Sequence, residues 1–444
     1  MIIPKVLFPP QVLAVAFFLK VLLSGRNTLD SSHMGTGKTI VACHLARDYG
    51  KPVAIIAPKA VLPSWEREME EVGIKPVFIL NLERLKTGNT KYLDKVTKVT
   101  KTGKKFVSYV WNERELPTDT LIMIDEVHKC KGMNTTNSKM AIQLVDQGYR
   151  IHCMSGTPCE DASEMKALGY ILGLHSNKHS KGTLYHFWSF MKQHGVTQDQ
   201  WGSYKMTDRT KLPRLRSKMY GVNTHRLSIE DFPDSFRNNR VFTTPVNFRS
   251  NAKILKAYND IGLTPKIIDE FIHKGTVTDS EYVLVNLLRA RQLAESYKAV
   301  DLADMAENAM AAGSSVVLFV NFSDTVDALT ARLHCGKIDG SQTPHERQCE
   351  IDDFQRDESH CIVCNISAGG TGISLHDIQG MRPRVSFICP TFNSKDYQQV
   401  LGRIHRNGAK SDALQQVLVA ANSIEEHVMR SINRKISNHS DLHE

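Results

Sequence analysis

The residues most able to do chemistry in this chain fall in two short segments. Asn27-Thr-Leu-Asp-Ser-Ser-His-Met-Gly-Thr-Gly-Lys-Thr39, followed by an apolar helical pattern from Ile40 to Tyr49, reads as a strand, a glycine-containing turn and a helix. Gly35 and Gly37, on either side of Thr36, let backbone amides come close to phosphate oxygens, and the helix N-terminus adds donors and its positive dipole end. Lys38 would reach the β- and γ-phosphates and the Thr39 hydroxyl would bind magnesium. Ser32 stands where the first glycine of this phosphate-binding pattern usually sits. The second segment, Thr120-Leu-Ile-Met-Ile-Asp-Glu-Val-His128, is an apolar run of strand length ending in two adjacent carboxylates. Open parallel sheets collect their ligands at such ends. Asp125 would hold the magnesium-water shell and Glu126 would polarise an attacking water, which is the division of labour ATP hydrolysis needs.

These residues need rigid elements to position them, and the composition supplies the means. Of 444 residues, 41% are hydrophobic and 23% charged, enough for two or three domains with sizeable cores and too apolar for a disordered or disulfide-stapled chain. The formal charge of +9 is uneven: residues 84–105 carry +7 and 176–226 carry +8, which leaves −6 on everything else. Those two segments are either solvated loops or contacts for a polyanion. The alternation of Val96, Val99 and Thr100 with lysines, then Thr102-Gly103, predicts a hairpin that would bind phosphates and not read bases. In the second segment Tyr185, Phe187, Trp188, Phe190, Trp201, Tyr204 and Tyr220 suit base stacking and a small helical core equally. Nine cysteines, an odd number, point to a reducing compartment, and Cys361-Ile-Val-Cys364 has no second pair to complete a zinc site, so it reads as strand alternation. The apolar run Val12 to Leu23 is interrupted by Lys20 and nothing is long enough to span a bilayer, so a soluble intracellular protein with no membrane partner is expected.

Further motifs appear in a fixed order. Phe8-Pro-Pro-Gln11 resembles an adenine-reading Q motif, Val53 to Glu68 a motif Ia with its Trp65-Glu-Arg-Glu68 signature, Phe78 to Leu85 a motif Ib and Ser155-Gly-Thr-Pro158 a motif III. After residue 240 strands and helices alternate again: Ser314 to Ser323 is similar to motif IV, Cys361 to Leu375 to motif V, and Gln399-Val-Leu-Gly-Arg-Ile-His-Arg406 to motif VI. The motif V glycines bring amides to a nucleic-acid phosphate or serve tight packing. On a helix, positions 399, 403 and 406 share one face, from which Arg403 and Arg406 could act as arginine fingers.

The chain thus resembles the SWI/SNF-type ATPases of helicase superfamily two over nearly its whole length, in the compact form of phage and large-DNA-virus members. The resemblance implies an α/β fold of two tandem RecA-like lobes with parallel sheets: an ATP-binding lobe over 1–232, carrying the hairpin (84–105) and a protrusion (176–226), and a helicase lobe over 233–444. A helical protrusion is expected between motifs III and IV. ATP and Mg2+ are the implied cofactors. Lys38, Asp125, Glu126, His128, Gln399, Arg403 and Arg406 take catalytic roles; Gln11, Gly35, Thr36, Gly37, Lys38 and Thr39 bind nucleotide; and Thr39 and Asp125 hold the metal. Pro58, Lys59, Asn81, Asn321, Ser323, Gly369, Gly370 and Thr371 would meet nucleic acid. The expected protein is a monomeric, DNA-dependent ATPase, a double-stranded DNA translocase acting on forks, junctions or protein-DNA complexes in the cytoplasm, or in the host nucleus if viral. A strand-separating DNA or RNA helicase and a viral transcription-associated NTPase are the alternatives. Two departures bear on coupling: the family's Asp-Glu before Met-Gly is Ser32-His33, and its Trp-Asn element is Phe392-Asn393.

Overall fold

A computed structural model describes residues 6–99, 105–132, 135–176, 186–198, 204–274, 281–369 and 373–443. Tyr185, Trp201, Gly370, Thr371 and the tip of the expected hairpin (100–104) lie outside the described residues. The chain divides into two compact units, Met1–Asp231 with Asn438–Glu444, and Phe232–Ser437.

The first unit contains β1 (Thr28–Asp30), β2 (Val53–Ile56), β3 (Phe78–Leu80), β4 (Leu93–Val99), β5 (Lys105–Trp111), β6 (Leu121–Asp125), β7 (Arg150–Met154), β8 (Val196–Gln198), β9 (Tyr204–Met206) and β10 (Thr224–His225). Its helices are α1 (Pro9–Leu23), α2 (Lys38–Tyr49), α3 (Leu62–Glu71), α4 (Leu82–Thr87), α5 (Thr136–Asp146), α6 (Lys166–Ile171), α7 (Phe187–Gln193) and α8 (Leu212–Met219). Six strands form one parallel sheet in the order β10-β1-β7-β6-β2-β3. Helices cover both faces of such a sheet, which is why β2 and β6 are unbroken apolar runs. The run Val12 to Leu23 lies in α1, whose prolines occupy the tolerated first turn and whose Phe18 packs edge-on against the ring of His152 on β7.

β4 and β5 pair antiparallel, from Leu93 opposite Trp111 to Val99 opposite Lys105. Leu93, Tyr109 and Trp111 root this hairpin in the core, whereas Lys95, Val96 and Val99 are exposed. The segment after motif III is mixed, not purely helical: α7 and α8 flank the antiparallel pair β8-β9. Its aromatics divide. Phe187 and Phe190 are core residues, packed with Leu212, Leu215 and Met219, while Trp188 is 44% exposed and stacks on Tyr204.

The second unit holds β11 (Asn239–Val246), β12 (Ser315–Val320), β13 (Gly336–Ile338), β14 (Cys361–Asn365), β15 (Arg384–Ile388) and β16 (Ala413–Ala420), with α9 (Asn251–Asn259), α10 (Pro265–Lys274), α11 (Glu281–Ala311), α12 (Ser323–Leu333), α13 (Pro344–Gln355), α14 (Ile366–Gly369), α15 (Ser394–Leu401) and α16 (Ile424–His443) up to Ser437, the residues of α16 from Asn438 on counting with the first unit. Its sheet is again six-stranded and parallel, in the order β11-β16-β15-β12-β14-β13. Alternate residues of each strand feed two separate cores, so Ile362 and Cys364 pack on one face of β14 while Cys361 and Val363 pack on the other. The two cysteines of the CxxC spacing therefore sit in different cores.

Candidate active site

In the first sheet β1, β7 and β6 are neighbours, and all run the same way, so the loops that follow them gather at one edge. Asp30 and Asp125, the last residues of β1 and β6, both stand opposite Met154 of β7. That register brings the glycine turn, the carboxylate pair and Ser155 together although more than a hundred residues separate the first from the last.

The turn after β1 is wound by Gly35 and Gly37, at φ 83° and 89°. At Gly37, the N-cap of α2, a Cβ would come within 2.5 Å of Gln11 Nε2, so both conformation and space require glycine. Gln11 is buried and uses its carboxamide twice: Nε2 donates to Thr36 O (2.8 Å) and Oε1 accepts from Phe8 N (2.9 Å). The expected adenine reader thus also braces the phosphate loop. Lys38 Nζ donates to Ser32 O (2.9 Å) and His33 O (3.1 Å), folded over the turn it is meant to serve. Burial lowers its pKa, opposed by the charges of Asp30, Glu126 and Asp125.

Asp30 is a participant that the motif reading did not single out. It is fully buried, burial raises its pKa against the pull of Lys38, and its Oδ1 accepts from Ser32 N at 2.9 Å. The available signal was a charged residue ending the short strand that leads into the glycine turn. On the far side of the turn Arg226 Nη1 donates to Ser31 O and Leu227 N to Ser32 Oγ, each at 2.9 Å. Ser32, which replaces the usual glycine, is therefore held through its hydroxyl, a bond glycine lacks.

Asp125 is pushed up to about 6, first by burial and then by the adjacent Glu126 charge, while Trp65 and Lys38 pull it down. Its Oδ1 accepts from Glu126 N (2.9 Å) and its Oδ2 from the indole Nε1 of Trp65 (3.1 Å). Glu126 occupies the left-handed region at φ 54°, ψ 51°, an uncommon conformation for a residue with a side chain, and one that concentrates at functional sites. His128 Nδ1 lies 3.1 Å from Glu126 Oε2 and 2.9 Å from Ser155 Oγ, which ties motif II to motif III. Gly156 lies beside the turn as well, where a Cβ would stand 3.7 Å from Lys38 Nζ.

Two adjacent half-buried carboxylates crowd like charge, a divalent cation relieves that crowding, and hydroxyl and carboxylate oxygens are the hard donors magnesium takes. Thr39 and Asp125 therefore fit the ion, and the glycine turn with Lys38 fits a triphosphate.

The second unit treats its motif residues differently. Asn321, at the end of β12, is held on every side: its N and Nδ2 donate to Glu295 of α11 (2.9 and 2.7 Å), its Oδ1 accepts from Arg291 (3.3 Å), and its O accepts from Asn365 Nδ2 (3.0 Å). Ser323, two residues on, is exposed at the start of α12, and Gly369 ends the single turn α14. The face shared by 399, 403 and 406 does not form. α15 ends at Leu401 because Gly402 caps it and Arg403 N turns back to Val400 O, so both arginines follow the helix instead of lying on it. Arg403 is buried and donates to Ile373 O (3.1 Å); Arg406 Nε donates to Gly402 O (3.0 Å), with burial lowering its pKa to about 10.

Comparison with known proteins bears on this site. Residues 14–165 match the DEAD/DEAH box helicase family model and residues 298–408 the helicase conserved C-terminal domain. A protein of Acanthamoeba polyphaga mimivirus that carries the name "Putative ATP-dependent RNA helicase L364" is 30% identical over 99% of this chain and 84% of its own length. The uncharacterized ATP-dependent helicase YqhH of Bacillus subtilis is 22% identical over 96% and 78%. A Drosophila melanogaster SWI/SNF-related regulator of chromatin, subfamily A-like protein 1, is 23% identical over 90% of this chain and 52% of its own. The SWI2/SNF2 ATPase core of Sulfolobus solfataricus, solved in complex with dsDNA, aligns over 99% of this chain and 93% of its own at 18% identity and a TM-score of 0.39. Matched by both helicase models and by a near full-length relative, the chain belongs to the ATP-dependent helicases that carry a DEAD/DEAH box domain and a helicase conserved C-terminal domain, enzymes that hydrolyse ATP.

Proposed function

We propose that this protein is an ATP-driven translocase on double-stranded DNA that remodels forks, junctions or protein-DNA complexes. The observation that carries the reading is a shared edge. β2 and β3 continue the sheet beyond β6, so the exposed Lys59 and the N-cap Asn81 emerge beside the ATP site, and the basic hairpin β4-β5 follows directly after α4. One sheet thus serves phosphate chemistry at one side and a basic, phosphate-seeking surface at the other.

Magnesium, when bound, neutralises charge on the β- and γ-phosphate oxygens. Lys38 exchanges its two loop carbonyls for those oxygens. Glu126, held by His128, orients the attacking water and accepts its proton, and the strained backbone at Glu126 keeps that carboxylate aimed. Lys59, Asn81 and Ser323 are assigned backbone contacts, which set register without reading sequence; Pro58, expected beside them, is buried and its carbonyl accepts from Val61 N.

A second reading, a strand-separating RNA helicase, draws on the name of the mimivirus relative. ATPase rates with duplex, forked and single-stranded DNA and with RNA, across a salt series, separate the two when run beside triplex- and strand-displacement assays. Duplex stimulation with triplex displacement and a steep salt dependence is expected. Stimulation by RNA alone, or efficient unwinding of simple duplexes, would replace the translocase with the helicase.

A further inference from the structure

Trp65 has no part in the chemistry described so far, yet it touches the metal carboxylate. Its indole Nε1 donates to Asp125 Oδ2 at 3.1 Å, and the side chain is 1% exposed. Buried indoles usually find a partner for their N–H, so the bond alone could be simple satisfaction of a core residue. Two further features argue for more. The partner chosen is the carboxylate that fits magnesium, whose other oxygen is already fixed by Glu126 N. The helix that carries the indole is also docked on one narrow face: in α3 the buried side chains are Trp65 and Met69, one turn apart.

The same helix begins at the surface. Lys59–Val61 form a single 3-10 turn that runs directly into α3, and Lys59 is exposed. One 3-10 turn and the first turn of α3 thus join Lys59 to the indole. Outer-shell donors of this kind fix the orientation of a metal ligand and set its affinity.

We propose that Trp65 is a positioning residue for Asp125, and that α3 conveys nucleic-acid contact at Lys59 to the magnesium carboxylate through the indole N–H. The second half of this inference rests on the nucleic-acid reading above; the first half does not.

The test uses the full chain with Trp65→Phe, and separately with benzothienylalanine at position 65, which keeps the indole shape and replaces N–H by sulfur. Calorimetry gives the ratio of ADP affinities with magnesium and with EDTA, and the magnesium dependence of ATP hydrolysis is measured with and without duplex DNA. Both variants should lower the affinity ratio and raise the magnesium needed for half-maximal rate by about tenfold. Stimulation by duplex should fall while the Kd for DNA is retained. An unchanged ratio in the benzothienylalanine protein would reduce Trp65 to a space-filling residue and overturn the inference, even if Trp65→Phe fails to fold. A changed ratio with undiminished stimulation would keep the positioning role and overturn the relay. Absence of stimulation by any nucleic acid in the wild type would instead defeat the nucleic-acid reading, with the ratio still deciding the role of Trp65.

Discussion

The two sheets are built alike and used differently. Each has six parallel strands with polar residues at the carboxyl edge. At the first edge the polar groups are charged and partnered mostly with one another or with the turn: Lys38 on loop carbonyls, Asp30 buried and Asp125 half-buried with both pKa values raised, Glu126 strained. At the second edge they are clamped by a 31-residue helix, whose Glu295 accepts from Asn321 and Phe322 and whose Lys298 pairs with Glu425 in full burial. Glu425 also accepts from Tyr258 and from Ala420 N. The first edge stores unfavourable terms that a bound ligand would relieve, and the second has its hydrogen bonds already made. Parallel sheets supply the same geometry to both, so the difference comes from the side chains and from α11.

Substitutions that separate chemistry from scaffold test this contrast. The largest effect is expected at the first edge, where Glu126→Gln or Lys38→Ala should lower ATP turnover by about 10² to 10⁴ with the melting temperature almost unmoved. Unaltered turnover in both would refute the site assignment. At the second edge, Lys298→Met should cost about 3 to 5 kcal/mol of stability by leaving the Glu425 charge buried and unpaired. The pair Lys298→Met with Glu425→Leu should recover much of that loss, and denaturant midpoints of the single and double variants decide it. Loss of ATP affinity in place of stability would erase the contrast.

A smaller effect concerns His152, buried under Phe18 with its Nδ1 2.9 Å from Thr28 Oγ1 and its pKa lowered to about 3 by burial. The folded protein keeps this ring neutral while the unfolded chain protonates it near 6.5. Its contribution is therefore intact above pH 6.5 and declines as pH falls toward 3, by about 1.4 kcal/mol per pH unit. The melting temperature of wild type should fall between pH 6.5 and 5, and His152→Gln should flatten that slope; parallel slopes would remove His152 as the cause. The smallest effect is expected on the exposed hairpin. Lys95→Ala should leave stability and basal hydrolysis alone and reduce the salt slope of duplex binding by about one. An identical slope would make residues 84–105 an ordinary solvated surface.

Much of the site was legible before any coordinates because it is local. Gly35-Thr-Gly-Lys-Thr39 is a strand, a left-handed turn and a helix start within a dozen residues, and Leu121 to Asp125 is an apolar strand whose last residue must emerge at the edge. Two parallel sheets followed from the same alternation. What failed was also local in kind: a helical period was extended through Gly402, where the chain turns, so the supposed face of Arg403 and Arg406 dissolved. The aromatics of the later basic segment could not be sorted, because Phe187, Trp188 and Phe190 have the same composition signal whether they face core or water.

By itself the sequence determined which chemical groups are present and in what chain order, since backbone conformation at glycines and apolar runs depends on near neighbours. Only the tertiary structure decided that Asp30, Trp65 and Ser155 converge on that chemistry, that Gln11 braces the phosphate loop, and that Asn321 is an internal hub. Those partners are set by strand order and by helices crossing the sheet, and neither sheet neighbourhood nor the direction of a side chain is encoded by spacing along the chain.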